Sequence, residues 1–159
     1  MLISWLHLIS LAAYLASVVG LWCIVVPALS AVRSHEGRLI LLARSLKYYN
    51  PFQTAALGVL VLSGAFQLTE LKAAHRELFI RELGVILGWK LILSFVLIVF
   101  STYQSMAVGH RFVRRYEAGE FFSPQDLQAV TRKLKITTLT ILLFAAVTLW
   151  LGVQLKGRG

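Results

Sequence analysis

The fold of this chain is decided by residues 83–109, LGVILGWKLILSFVLIVFSTYQSMAVG. This stretch lies between Glu82 and Arg111 and exceeds the about 20 predominantly apolar residues that a transmembrane helix needs. It contains one charged residue, Lys90, close to its start. A charge inside a membrane helix costs roughly 3 kcal/mol or more, so we expect the Lys90 ammonium to have a partner or access to water.

Composition places the whole chain in a membrane. Of its 159 residues, 58% are hydrophobic and 14% are charged, which is ordinary for a membrane bundle and too apolar for a soluble domain. The net charge is +9, but the basic residues flank apolar spans, where they act as topology signals. The expected partner is therefore the lipid bilayer and not a nucleic acid. The single cysteine, Cys23, excludes a disulfide or a cysteine-based metal cluster within one chain.

Four apolar segments predict an all-α fold, an antiparallel four-helix transmembrane bundle that forms one domain over residues 1–159. The predicted spans are 3–29, 51–69, 83–108 and 136–155. The first span lacks a basic n-region and a small-residue cleavage site, so we expect it to be retained and not removed as a signal peptide.

Sequence patterns typical of helices also occur between the spans. Residues 33–49 predict an amphipathic cytoplasmic helix, which either lies at the interface or continues the first span out of the membrane. Asn50-Pro51 predicts the start of the second span, and Pro27 a kink near the end of the first. The sequence Ser123-Pro124-Gln125-Asp126 predicts an N-cap, and the helix that it begins is expected to run straight into the fourth span.

Polar residues within the spans recur at helical spacing, which predicts inward-facing stripes. The first span carries His7, Ser10, Tyr14 and Ser17; the third carries Lys90, Ser94, Ser101 and Gln104; the fourth carries Thr137, Thr140 and Thr148. A second line on the first span, Ala12, Ala16 and Gly20, is suited to close helix contact.

The distribution of Lys and Arg predicts the orientation. The first and third connections together carry ten of these residues, whereas the second connection and the C-terminus carry five. Because cytoplasmic connections are enriched in Lys and Arg, both termini are expected outside, in the periplasm of a bacterial inner membrane.

This orientation predicts a polar site near the outer surface. His7 and Lys90 enter the membrane from the outer side, and Gln67 and Glu70 leave it there. At about 1.5 Å per residue, His7 and Lys90 reach similar depths. We therefore predict a cofactor site formed by His7, Lys90, Glu70 and Gln67.

Each of these residues also has a simpler interpretation. His7 is a candidate ligand of haem iron or copper, or a proton relay, but an interfacial histidine is often only hydrogen-bonded to a neighbouring helix. Lys90 can pair with Glu70, bind an anionic group such as a propionate, or extend to the surface. Glu70 and Gln67 are at a helix end, where residues are often simply solvated.

Other chemistries find little support. Cys23, Met106 and the four histidines are dispersed, without Met-x-x-Met or His-x-His spacing, so a dedicated copper relay is disfavoured. No nucleotide-binding, zinc-protease or nucleophile-elbow signature is present, and no catalytic residue is predicted.

Five short motifs resemble the small CopD-type copper-resistance membrane proteins and the related HemJ-type protoporphyrinogen oxidases. The motifs are Trp5-Leu6-His7-Leu8, Asn50-Pro51-Phe52, Leu62-Ser63-Gly64, Gly88-Trp89-Lys90-Leu91 and Gly109-His110-Arg111. The resemblance implies a four-helix inner-membrane protein that handles haem or copper, in which His7 and Lys90 match functional residues. One departure is at Tyr103-Gln104, where the family often has a histidine after the tyrosine. Glutamine is a poor haem ligand and a weak copper ligand, so a ligand role is not expected there.

Three functions remain open at this point. The first is a CopD/HemJ-like protein whose outer site binds haem b, a porphyrin or a metal ion, with linked redox chemistry. The second is a copper transport or tolerance protein. The third is a non-catalytic small subunit of a larger membrane complex, or a homo-oligomer without a cofactor.

Overall fold

The computed structural model describes residues 2–74 and 83–156, which form helices joined by short loops. The first long helix consists of α1 (Leu2–Gly20), a π-helical turn (Leu21–Val25) and α2 (Val26–Ala31). The second is α3 (His35–Ala74). The third consists of α4 (Leu83–Thr102), a π-helical segment (Tyr103–His110) and α5 (Arg111–Glu117), and the fourth is α6 (Pro124–Lys156).

Within these ranges, four segments are long and apolar enough to cross a membrane. They are Leu2–Ala31, His35–Glu70, Leu87–Glu117 and Pro124–Leu151. The described residues contain no strand. The predicted all-α bundle of four spans is therefore confirmed.

The bundle is built from two antiparallel hairpins. Val32–Ser34 joins the first helix to α3, and His7 then lies beside Ser63 while Gly20 packs against Tyr49, as an antiparallel register requires. Residues 118–123 join α5 to α6 in the same way. These two loops lie at one end of the bundle, here named the basic end. The starts of α1 and α4 lie at the other, here named the opposite end.

The second span begins earlier than the sequence predicts. Asn50-Pro51 does not start a helix; Pro51 lies inside α3, which is continuous from His35. The predicted helix over 33–49 therefore exists, but as the first part of α3, packed along α2. Proline costs an interior helix one hydrogen bond. This part of α3 is held by burial instead, since Leu42 and Leu46 are 0% and 1% exposed.

The predicted cap of α6 is confirmed. The Asp126 N–H donates to Ser123 Oγ at 3.1 Å, and the Ser123 N–H donates to the Asp126 carboxylate at 3.0 Å. This reciprocal pair satisfies free backbone donors at the helix start. From there α6 runs without a break into the fourth span, as expected.

Apolar side chains form two cores along the bundle. One lies in its middle and is made by Tyr14, Val18, Leu57, Leu97, Ile141 and Ala145. The other lies at the basic end and includes Leu21, Leu29, Leu42, Leu46, Phe112, Phe122, Leu127 and Leu134. The basic end is thus a packed structure in its own right.

Exposed tryptophans mark the opposite end. Trp5, Trp89 and Trp150 are 66%, 58% and 61% exposed on three different helices. Tryptophan is enriched at membrane–water boundaries. Trp22 lies seventeen residues after Trp5, which corresponds to about 25 Å along a helix and is close to the thickness of a hydrocarbon core. The loop at Val32 lies about 15 Å further, so the basic end extends beyond the membrane core.

The two predicted faces of the first helix differ in burial. Ser10, Tyr14 and Ser17 are buried, which confirms the inward polar stripe. Ala12 and Ala16 are exposed, so this part of the small-residue line faces away from the chain's own bundle. The irregularity expected near Pro27 takes the form of the π-helical turn Leu21–Val25 just before α2.

Candidate functional site

The outer polar site is built on the contact between α1 and α3. His7 is half-buried, and its Nδ1 lies 3.0 Å from Ser63 Oγ. Ser63 is 2% exposed, and its hydroxyl donates to the backbone carbonyls of Val59 and Leu60 at 2.7 and 3.0 Å. The imidazole is therefore attached to a rigid part of α3.

These contacts favour one arrangement of the ring protons. When the Ser63 hydroxyl donates to the carbonyls of its own helix, Ser63 Oγ accepts from His7 Nδ1, and Nδ1 carries the proton. In that tautomer of the neutral imidazole, Nε2 carries the lone pair.

Gly64 provides the space for this arrangement. A Cβ at Gly64 would lie 3.2 Å from His7 Cε1 and 3.6 Å from Nδ1. The first distance is tighter than ordinary van der Waals contact, so the ring packs on α3 at a position without a side chain. Ser63 and Gly64 together set both the height and the rotation of the imidazole.

Lys90 comes from the second hairpin. It is half-buried on α4. It directly follows the exposed Trp89, which places it near the membrane boundary. The structure therefore brings His7 and Lys90, from separate spans, to the same end of the bundle.

The remaining two predicted residues are placed less centrally. Gln67 is half-buried, one turn of α3 beyond Ser63, whereas Glu70 is exposed. Ser63, which the sequence analysis did not include in the site, lies against His7. It is on the same face of α3 as Gln67 and four residues before it, and this spacing is the feature of the sequence that could have identified it.

A second polar layer lies deeper in the bundle and joins all four spans. Tyr14 and Ser101 share a hydrogen bond between their hydroxyls. The Gln53 amide donates to the side-chain oxygen of Gln104 at 3.4 Å, and the Gln104 amide donates to Thr138 Oγ1 at 2.5 Å. All of these residues are at most 3% exposed.

In this second layer, here named the inner polar layer, the polar side chains satisfy one another. Among the described residues, every buried side-chain nitrogen or oxygen has a hydrogen-bond partner. Gln104 lies about 15 Å below His7, judged from the pair Tyr14–Ser101 and the rise of a helix. The position at which the resembling family often has a histidine is therefore separate from the outer site, and here it serves helix packing.

Thr138 was missed by the sequence analysis. The threonines predicted to form the stripe of the fourth span, Thr137, Thr140 and Thr148, donate to carbonyls of their own helix. Thr138 instead bonds across to Gln104. Whether a threonine hydroxyl bonds to its own helix or to a neighbouring one depends on which residue lies opposite it. The spacing of threonines in the sequence does not show which residue that is.

The described residues contain no group of three or more His, Cys, Asp or Glu side chains that could hold a metal ion. Cys23 and His110 are exposed toward the basic end, and His35 bonds to the Phe122 carbonyl at 2.9 Å. His75 lies outside the described residues. Three or four donors are usual for a metal ion held by protein side chains, and the described residues of the outer site contain no such group.

A haem makes a smaller demand on protein side chains, because it brings its own four nitrogen ligands and needs one axial ligand such as an imidazole. Among the described residues of the outer site, His7 has an imidazole and Lys90 a cationic side chain. Comparison with family models, with curated protein sequences and with solved structures gives no significant match for this chain. The fold by itself defines a multi-pass membrane protein.

Proposed function

We propose that this membrane protein is CopD/HemJ-like and binds haem b, or a closely related porphyrin, at the outer site formed by His7 and Lys90. The observation that carries the proposal is the 3.0 Å contact between His7 Nδ1 and Ser63 Oγ, which holds the ring against α3. With the proton on Nδ1, Nε2 would be the nitrogen that binds iron. The resemblance of the motifs around His7 and Lys90 agrees with it.

The depth of the site supports a porphyrin as the ligand. A porphyrin is amphipathic, with a large apolar ring and two carboxylates at one edge. His7 lies two residues below Trp5 and Lys90 directly follows Trp89, so the imidazole and the ammonium lie just inside the aromatic belt. The ring would lie among apolar side chains while the propionates face the headgroups.

Residues of this chain would bind and orient the group. His7 would be an axial ligand, Ser63 would fix its ring, and Lys90 would pair with a propionate. The bound haem would supply one-electron redox chemistry.

An absorption titration tests the proposal. Purified protein in nanodiscs, titrated with haem b, is expected to give a Soret band that His7→Ala abolishes or shifts. His110→Ala is the matched control, because His110 is an exposed histidine of the third helix beyond the inner polar layer, and it should leave the spectrum unchanged. A spectrum that does not depend on His7 would sink the proposal.

Copper is tested in the same preparation. Metal analysis and copper-dependent growth should be the same for the parent and His7→Ala if haem is the ligand. Stoichiometric copper that is lost in His7→Ala would instead establish the copper transport or tolerance function.

A second candidate function is a non-catalytic small subunit of a larger membrane complex. It is favoured by Ala12 and Ala16, which are exposed on α1 at a spacing that permits close helix contact. Replacing both by Leu should release a co-purifying partner or separate a homo-oligomer. Absence of a partner in the parent preparation argues against this function.

A further inference from the structure

We infer that the cleft at the basic end, between the α2–α3 hairpin and the first turns of α6, binds the phosphate of an anionic phospholipid. The cleft has a volume of about 360 Å³. Four basic or ionisable side chains line it: His35, Arg38, Arg132 and Lys135. This site is separate from the outer site and does not depend on the function proposed for it.

The charge of the cleft is complementary to an anion. No acidic residue lines it. The nearest acids along the chain are Glu36, which is exposed and outside the lining, and Asp126, whose carboxylate is bonded to Ser123 in the cap of α6. The cationic side chains are therefore not neutralised by carboxylates of the lining.

The cleft also has an apolar side, which favours a lipid over a soluble phosphate. Val26, Leu29 and Leu127 form part of its wall. Val26 and Leu29 belong to the first 32 residues, which contain no charge. A site with cations on one wall and aliphatic side chains on the other matches the junction between a headgroup and its acyl chains.

A track for the acyl chains continues from the cleft along α6. Arg132 and Lys135 are followed on the same helical face by Ile136, Leu139 and Leu143, which are 54%, 57% and 64% exposed. Lys135 immediately precedes the fourth apolar span. The phosphate would lie at Arg132 and Lys135, within reach of Arg38, while the acyl chains follow this face into the membrane.

Arg38 is better left intact in a test, because its Nε donates to the Val32 carbonyl at 2.7 Å and so helps to hold the hairpin. Arg132 and Lys135 are exposed, so replacing them should not disturb packing. The test variant is Arg132→Gln with Lys135→Gln. The matched control is Arg111→Gln with Lys133→Gln, which removes two exposed charges from the same end but none from the cleft.

Native mass spectrometry of protein released from nanodiscs should count the bound lipid. With mixed phosphatidylglycerol and phosphatidylcholine, the parent and the control should each retain one phosphatidylglycerol. The test variant should bind it about 30-fold more weakly, at about fivefold per removed cation. The swap Arg132→Lys with Lys135→Arg, which keeps both charges, should restore retention.

Two outcomes would overturn the inference. Equal retention by the test and control variants would show that the cleft is not the site. Displacement of the lipid by millimolar inorganic phosphate, with no preference between the two lipids, would show that the cleft takes a soluble anion instead.

Discussion

At the scale of the residue, the outer site depends on one serine. Ser63 donates to carbonyls of its own helix, and its Oγ lies 3.0 Å from His7 Nδ1, which favours the tautomer with the proton on Nδ1. If His7 binds a haem iron as proposed, Ser63 would orient the imidazole without contacting the iron. Such supporting hydrogen bonds commonly change the affinity of a site by about 10–100-fold.

We therefore expect Ser63→Ala to weaken haem binding about tenfold while leaving the protein folded, because His7 remains but its ring is no longer held. The measurement is the same absorption titration. Thr69→Ala is the matched control, since Thr69 is an exposed residue of α3 near the same end and donates only to carbonyls of that helix. Equal effects of the two variants would contradict the orienting role of Ser63.

Gln104 supports the fold at the same scale. Gln104→Leu should destabilise the protein by about 1–3 kcal/mol, because the bonds to Gln53 and Thr138 are lost and Gln53 is left with an unpaired buried amide. Thermal unfolding in detergent measures this. Thr140→Val removes only a bond to the carbonyl of Ile136 and should cost much less. A melting temperature as high as that of the parent would show that the inner polar layer does not join the spans.

At the scale of the element, the π-helical segment Tyr103–His110 joins the two hairpins. It is through this segment that α3 makes most of its contacts with the third helix. Thr54 and Ser105 share a hydrogen bond of 2.9 Å there, and Asn50 packs directly on Gly109. Wide helical turns are often retained where local geometry has a role. Here the wide turns present Gln104, Ser105 and Gly109 to the neighbouring helices, and all three are buried.

Gly109→Ala tests the contact between α3 and the π-helical segment. A Cβ at Gly109 would clash with the Asn50 side chain, with Cγ only 2.9 Å away, so the Asn50 side chain must move or α3 and the π-helical segment must separate. We expect a loss of about 1–3 kcal/mol in the free energy of unfolding, typical of overpacking.

Gly58→Ala is the matched control for this change. Gly58 is also in a helix, but nothing lies within 4 Å of its added Cβ. Because alanine is the better helix former, this variant should be neutral or up to about 1 kcal/mol more stable. Equal changes in the free energy of unfolding for the two variants would show that the close approach of Asn50 to Gly109 does not determine the effect of the added methyl group.

At the scale of the whole molecule, charge and apolar surface divide the bundle into two zones. One consists of the opposite end, with its exposed tryptophans, and the apolar middle, and the other is the packed, basic end. Two exposed ion pairs, Lys47–Glu117 and Arg115–Glu120, lie in this last zone. Exposed pairs contribute little to stability, so the zone is held mainly by its own apolar core.

The orientation of the molecule remains a prediction from the charge distribution. In a Cys23→Ser background, a cysteine at Phe121 should be labelled by a membrane-impermeant maleimide only after cells are permeabilised, because its loop is at the basic end. Phe121 is 87% exposed, so the label has access. A cysteine at Ser4, which is also exposed, should be labelled in intact cells. The reverse pattern would place both termini in the cytoplasm.

The sequence alone determined the four spans, the inward polar stripes of the first and third helices, the cap of α6 and the location of His7 and Lys90 at one end. These follow from periodicity, length and local chemistry, which act over a few residues. Only the tertiary structure decided that α3 passes through Pro51, that Ser63 meets His7, and that Thr138 completes the inner polar layer. Each of these depends on which neighbouring helix is opposite a residue, and burial against that helix can outweigh the local preference of the chain.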